Sequence, residues 1–225
     1  MASAPRSTCP CRKRPPDRKC RVTEETGLRF GPIREAIHLC VDMQAMFLRD
    51  TPWAVEWMER ILPKVVELTE AHPERNLFTR FITPRDAGEA AGSWRRYYEK
   101  WEGMTRAALP DEKLELVEPL RRLVPPGQVF DKKVYSPWFC GRLHQHLQER
   151  GISTVIVSGA ETDVCVLAAV MTAIDHGYRT ILATDALCGS ADETHEALMS
   201  VYRARFGLQV ETATVAEIVA DWSEG

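Results

Sequence analysis

Thr154-Val155-Ile156-Val157-Ser158-Gly159-Ala160-Glu161-Thr162-Asp163-Val164-Cys165-Val166 decides how this chain is read. Its opening is a continuous β-branched run, the pattern of a strand covered on both faces in a parallel sheet. Gly159 to Asp163 form a tight turn, and from Asp163 the apolar spacing becomes helical as far as His176, with Gly177 where a helix ends. Strand, turn and helix in direct succession place Cys165 in the first helical turn, beyond the carboxyl end of a strand.

The same alternation extends in both directions. Strands are predicted at Ala36–Val41, Leu77–Ile82, Gln128–Phe130, Thr154–Ser158, Thr180–Thr184 and Leu208–Glu211, and helices at Trp53–Ala71, Trp138–Arg150, Asp163–His176 and Ala191–Phe206. A βαβ series with right-handed crossovers gives a six-stranded, mostly parallel, doubly wound sheet in a three-layer α/β/α sandwich. Its ligand crevice lies at the carboxyl ends of the strands near the switch point. Pro84 to Pro126 is too long for a simple connection. Its Trp94, Tyr97, Tyr98 and Trp101 share one helix face, which either packs onto the domain or a sister subunit or forms a lid over the pocket.

Residues 1–30 read as a flexible basic tail and 31–225 as one domain; before Val22, seven Arg and Lys side chains face a single acid, Asp17. The formal net charge of -3 lacks the basic excess of a nucleic-acid binder and favours a small-molecule substrate. No run of about 18 apolar residues offers a membrane helix. The N-terminus lacks the apolar core of a signal peptide, so the expected location is cytoplasmic. The seven cysteines are scattered, without disulfide-framework spacing. Cys40 and Cys188 read as small buried hydrophobes, and Cys9, Cys11 and Cys20 lack a fourth metal ligand.

Three polar groups fall at strand ends: Asp42 after the first, Lys132 after the third, and Cys165 after the fourth. An Asp directly after a strand also occurs for turn reasons alone. Together, however, the three have complementary roles. The carboxylate can take the thiol proton and pass it to a leaving amine, while the ammonium keeps the carboxylate ionised. The positive end of the helix dipole at Cys165 is expected to favour thiolate.

Asp42-Met43-Gln44 with Phe47, Lys132 followed by Tyr135-Ser136-Pro137, Gly159 to Val166, and Gly177-Tyr178 leading to Thr184-Asp185-Ala186 follow one another in an order that resembles the isochorismatase-like cysteine hydrolases. The resemblance runs from about Ile33 to the C-terminus. It implies a catalytic triad of Asp42, Lys132 and Cys165, with Lys132 preferred to Lys133 by its spacing to the Tyr-Ser pair. It also implies a non-proline cis peptide at Ala160–Glu161 and an oxyanion held by the backbone N–H groups of Glu161 and Cys165. The nucleophilic cysteine points to the amide-cleaving branch. Nicotinamidases of the family hold a metal through histidines after the second strand; Thr79 to Gly88 contains none here, so no metal and no cofactor is expected.

Candidate substrate contacts are Phe47, Trp53, Arg80, Trp94 and Trp138. Phe47 and Trp53 could equally be core, and Arg80 either pairs with a substrate carboxylate or forms a salt bridge at the strand edge. The expected protein is a homo-oligomeric hydrolase, dimer or tetramer, that cleaves a C–N bond of a small amide, carbamoyl or ureido compound through a Cys165 thioester. The alternatives are an inactive binding or scaffold module of the same fold and a nicotinamidase-type enzyme. A thiol redox sensor lacks the Cys-x-x-Cys motif that would resolve a disulfide.

Overall fold

The computed structural model describes residues 27–223. Six strands, β1 (Ala36–Val41), β2 (Asn76–Phe81), β3 (Gln128–Lys132), β4 (Thr154–Ala160), β5 (Arg179–Cys188) and β6 (Val210–Ala213), form one sheet in the order β3-β2-β1-β4-β5-β6. Every neighbouring pair is parallel. The helices are α1 (Ala45–Leu48), α2 (Met58–Ala71), α3 (Ser93–Lys100), α4 (Glu118–Arg121), α5 (Arg142–Glu149), α6 (Cys165–Asp175), α7 (Asp192–Arg205) and α8 (Val215–Asp221).

Alternation along β1 builds the two outer layers. Ala36 and Cys40 join a core with Ile61, Val65 and Leu68 of α2 and Val215 and Ile218 of α8. Ile37, Leu39 and Val41 join the opposite core with Leu143 and Leu147 of α5, Val166 and Val170 of α6, and Tyr202 of α7. The sheet is covered on both faces, and its edge strand β3 is the most exposed: Gln128, Val129 and Asp131 are exposed.

Several boundaries move from the sequence reading for local reasons. Helix α2 begins at Met58 rather than Trp53, because residues 51–57 form turns that release Trp53 from the helix. Helix α5 starts after Gly141, whose φ of 74° breaks the helical path. Strand β6 lies two residues later than expected, since Leu208 is 88% exposed in a turn. Helix α8 was not anticipated, although Thr214 and Glu217 form a capping box at its start. Of the expected tail, residues 1–26 with Cys9, Cys11 and Cys20 lie outside the described residues. Residues 27–30 run beside β6: Gly27 N–H donates to Thr212 O at 2.9 Å, and Phe30 N–H donates to the buried Glu211 carboxylate at 3.0 Å.

Candidate active site

The carboxyl ends of β1, β2, β3 and β4 converge on three ionisable side chains. Asp42 follows β1 with a left-handed φ of 50°, a conformation uncommon outside glycine. Its backbone N–H donates to Thr79 Oγ1 at 3.1 Å, and the Thr79 hydroxyl donates to Asp42 Oδ1 at 2.6 Å. Thr79, a buried residue of β2, therefore orients the carboxylate from behind. Lys132 closes β3 and brings Nζ to 2.7 Å from Asp42 Oδ2, with the two side chains 3% and 1% exposed. The ammonium also donates to Val134 O at 3.2 Å and to Cys165 Sγ at 3.4 Å, so three directions around the nitrogen are occupied.

Cys165 is the first residue of α6. The preceding Ala160–Glu161 peptide is cis. Glu161 O accepts from the N–H groups of Val164 and Val166, at 3.1 and 3.0 Å. The N–H groups of Glu161 and Cys165 themselves donate to no carbonyl among the described residues.

Burial pushes the Cys165 thiol well above its ordinary range and Asp42 pushes it further, while Lys132 draws it down without reversing the balance. Desolvation thus opposes the thiolate that the helix dipole is expected to favour. Burial opposes the Lys132 charge, but Asp42 and Cys165 outweigh it and hold the ammonium above its usual range.

Above Cys165 is a cavity of about 170 Å³ walled by Phe47, Trp53, Phe81, Tyr97, Trp101 and Tyr135. Trp53 is the hub. It stacks on Phe47 at 6.1 Å and lies within 5.7 Å of Tyr97 and 6.2 Å of both Phe81 and Trp101, centroid to centroid. Helix α3 therefore contributes pocket wall through Tyr97, while Tyr98 is buried beneath it. A larger cavity of about 460 Å³ beside Cys188, Asp185 and His195 does not include Cys165. Of the two, only the smaller one is lined by Cys165.

The other three candidate contacts are placed elsewhere. Trp94 stands behind the wall, 4.7 Å from Tyr135 and 6.1 Å from Phe81. Arg80 is engaged by Glu115 at 2.7 Å and Asp131 at 2.8 Å, so the edge ion pair, not a substrate carboxylate, is its observed role. Trp138 is buried in the opposite core, donating from Nε1 to Ala169 O at 2.9 Å and stacking on Tyr178. Thr79, Phe81, Glu161 and Ser190 were not read from the sequence as lining or orienting side chains. Phe81 was recoverable from its place at the end of a strand; the others depend on neighbours far away in the chain. Among the described residues, no group of three His, Cys, Asp or Glu side chains is disposed to hold a metal ion.

This parallel sheet, with a carboxylate, an ammonium and a thiol gathered at its strand ends, is an α/β protein with a hydrolase-type site. Residues 36–214 match the isochorismatase domain, and the chain belongs to that family. It is 29% identical over 79 residues to maleamate amidohydrolase from Pseudomonas putida, which covers 35% of this chain and 37% of that protein. It thus matches little more than a third of that relative's length. Over 195 residues it is 24% identical to a probable inactive nicotinamidase from Arabidopsis thaliana, covering 85% of this chain and 96% of the relative. The crystal structure of a cysteine hydrolase from Pseudomonas syringae pv. phaseolicola shares the fold, with a TM-score of 0.75 at 23% identity over 88% of this chain and 97% of that one.

Proposed function

We propose that this protein is a cysteine-dependent hydrolase of a C–N bond in a small amide, carbamoyl or ureido compound. The observation that carries the reading is the juxtaposition of Asp42, Lys132 and Cys165, brought together from three separate strand ends, with Cys165 opening onto one aromatic cavity. Three buried ionisable groups burden a fold unless they serve chemistry.

A thiol beside a carboxylate gives the order of events. Asp42 takes the Sγ proton as sulfur attacks the substrate carbonyl, a C–S bond forms, and the carbonyl electron pair moves onto oxygen. The free N–H groups of Glu161 and Cys165 supply the donors for that oxygen. Asp42 then gives its proton to the departing nitrogen, the C–N bond breaks, and a thioester remains. Water, deprotonated by Asp42, cleaves the C–S bond, releases the acid and returns the proton to sulfur. Lys132, 2.7 Å from Asp42 Oδ2, supplies the counter-charge beside the carboxylate between proton transfers.

The test is a panel of small primary amides and ureido compounds assayed for ammonia or amine release, with mass spectrometry of the quenched protein for an acyl adduct on the peptide containing Cys165. Full turnover by Cys165→Ala would sink the nucleophile assignment. A second reading, a binding module without turnover, is favoured by the inactive label on one relative; it is supported if panel compounds bind but none is hydrolysed.

A further inference from the structure

The cavity above Cys165 has six aromatic walls and one carboxylate, that of Glu161, and no Lys or Arg lines it. Arg80 is committed to Glu115 and Asp131, and Lys132, paired with Asp42, reaches the cavity only at its Cys165 end, 3.4 Å from Sγ and over the far-side Phe81 ring at 4.9 Å. Glu161 Oε2 accepts the Ser190 N–H at 3.1 Å, and the Ser190 side chain also engages the carboxylate. Burial raises the Glu161 carboxyl above its ordinary range and Asp163 raises it further, against the Ser190 hydrogen bond. Among the described residues, no Lys, Arg or His forms an ion pair with it. Its charge also reaches the Tyr97 and Tyr135 hydroxyls, behind burial and the nearer groups in both cases.

Aromatic faces attract cations through their quadrupoles, and a partly desolvated carboxylate attracts them more strongly still. Beside Glu161, away from Lys132, the same surroundings disfavour an anion. We infer that the compound turned over at this site carries a positive charge, an ammonium group within a few bonds of the scissile amide, held between the aromatic walls and Glu161. The inference rests on the hydrolase reading and names its substrate class: a cationic amide, cleaved by water to the cationic acid and ammonia. It separates this site from one that accepts carboxylate-bearing amides, which needs a free Arg or Lys where this cavity has Glu161.

Three compounds of similar size isolate the charge: trimethylammonioacetamide, its neutral isostere 3,3-dimethylbutanamide, and malonamate. Calorimetry on the full chain carrying Cys165→Ala reads binding without turnover. We expect the cation to bind at least tenfold more tightly than the neutral isostere, with the anion weakest. Adding Glu161→Gln should shrink the cation-to-neutral ratio about tenfold. If that variant does not fold, the ratio measured with Glu161 intact should fall as pH is lowered through the carboxyl titration. Equal binding of cation and neutral isostere, or tighter binding of malonamate, would overturn the inference. Kinetics on the unmutated protein separate the two claims. Cation-selective binding with no hydrolysis defeats only the hydrolase reading, and hydrolysis with no preference for charge defeats only this one.

Discussion

A Cβ placed on Gly159 would lie 2.1 Å from the carbonyl oxygen of Val41, so the β4 backbone is seated on β1 where only glycine fits. The φ of 103° at Gly159 excludes other side chains independently. Val41 precedes Asp42, and Gly159 leads into the turn before Cys165, so this contact sets how far apart those two groups stand. Gly159→Ala should destabilise the fold by about 3 kcal/mol or more through overpacking and strain, and should abolish any turnover. Urea unfolding with a parallel activity assay checks it; a stable, active variant would show that the strands separate freely.

The ion pair between Lys132 and Asp42 is almost wholly shielded from water. Lys132→Met leaves Asp42 buried without a counter-charge and should cost about 3–5 kcal/mol. Adding Asp42→Asn should restore much of that stability while turnover stays at least about 100-fold down, because the general base is gone. Equal stability of the single and double variants would mean that the pair is not coupled.

Thiol labelling separates burial from the helix dipole at Cys165. Cys140 is exposed, and a hydrogen bond with the Arg142 side chain draws its thiol down, whereas burial pushes Cys165 up. Brief iodoacetamide pulses at pH 7, read by peptide mass spectrometry, should therefore label Cys140 faster than Cys165. The Cys165 rate should still climb tenfold per pH unit beyond about pH 9, where an ordinary thiol levels off. A Cys165 plateau below about pH 8 would restore the thiolate expectation.

His38 supplies a pH test away from the site. It is buried in β1, with Nδ1 2.7 Å from Asn76 Oδ1 and Nε2 2.6 Å from Ser158 Oγ, and burial lowers its pKa from 6.5 to about 4 against the Asn76 hydrogen bond. The unfolded chain takes up a proton below about pH 6.5 that the folded chain refuses until about pH 4. Stability from this residue is therefore whole above pH 6.5 and lost as pH falls toward 4, by roughly 3 kcal/mol in all. Unfolding curves across that range should be flatter for His38→Gln than for the wild type; parallel curves would refute the assignment.

What the sequence made legible was local. Strand β1 is read to the residue because its apolar run is bounded on both sides, and Asp42 and Cys165 are found because strand ends and helix starts leave marks in adjacent residues. Facing was less accessible. Arg80 and Trp138 both stand near strand ends, yet one turns to Glu115 and Asp131 and the other to Ala169, partners chosen by packing across the chain. The helix dipole at Cys165 was readable, but the desolvation that opposes it depends on walls contributed by residues as distant as Phe47 and Tyr135. The capping box at Thr214 is the converse case, a local signal that was present and passed over.

The edge position of β3 makes the candidate site less durable than the fold. Asp42 and Cys165 are borne by central strands β1 and β4, whereas Lys132 rides on a strand paired along one side only, with β2. Segments of that kind open at free energies well below global unfolding. Mild denaturant or a competing strand laid along β3 would thus withdraw the ammonium while the rest of the sheet stayed intact, leaving a folded protein whose proposed triad has come apart at its margin.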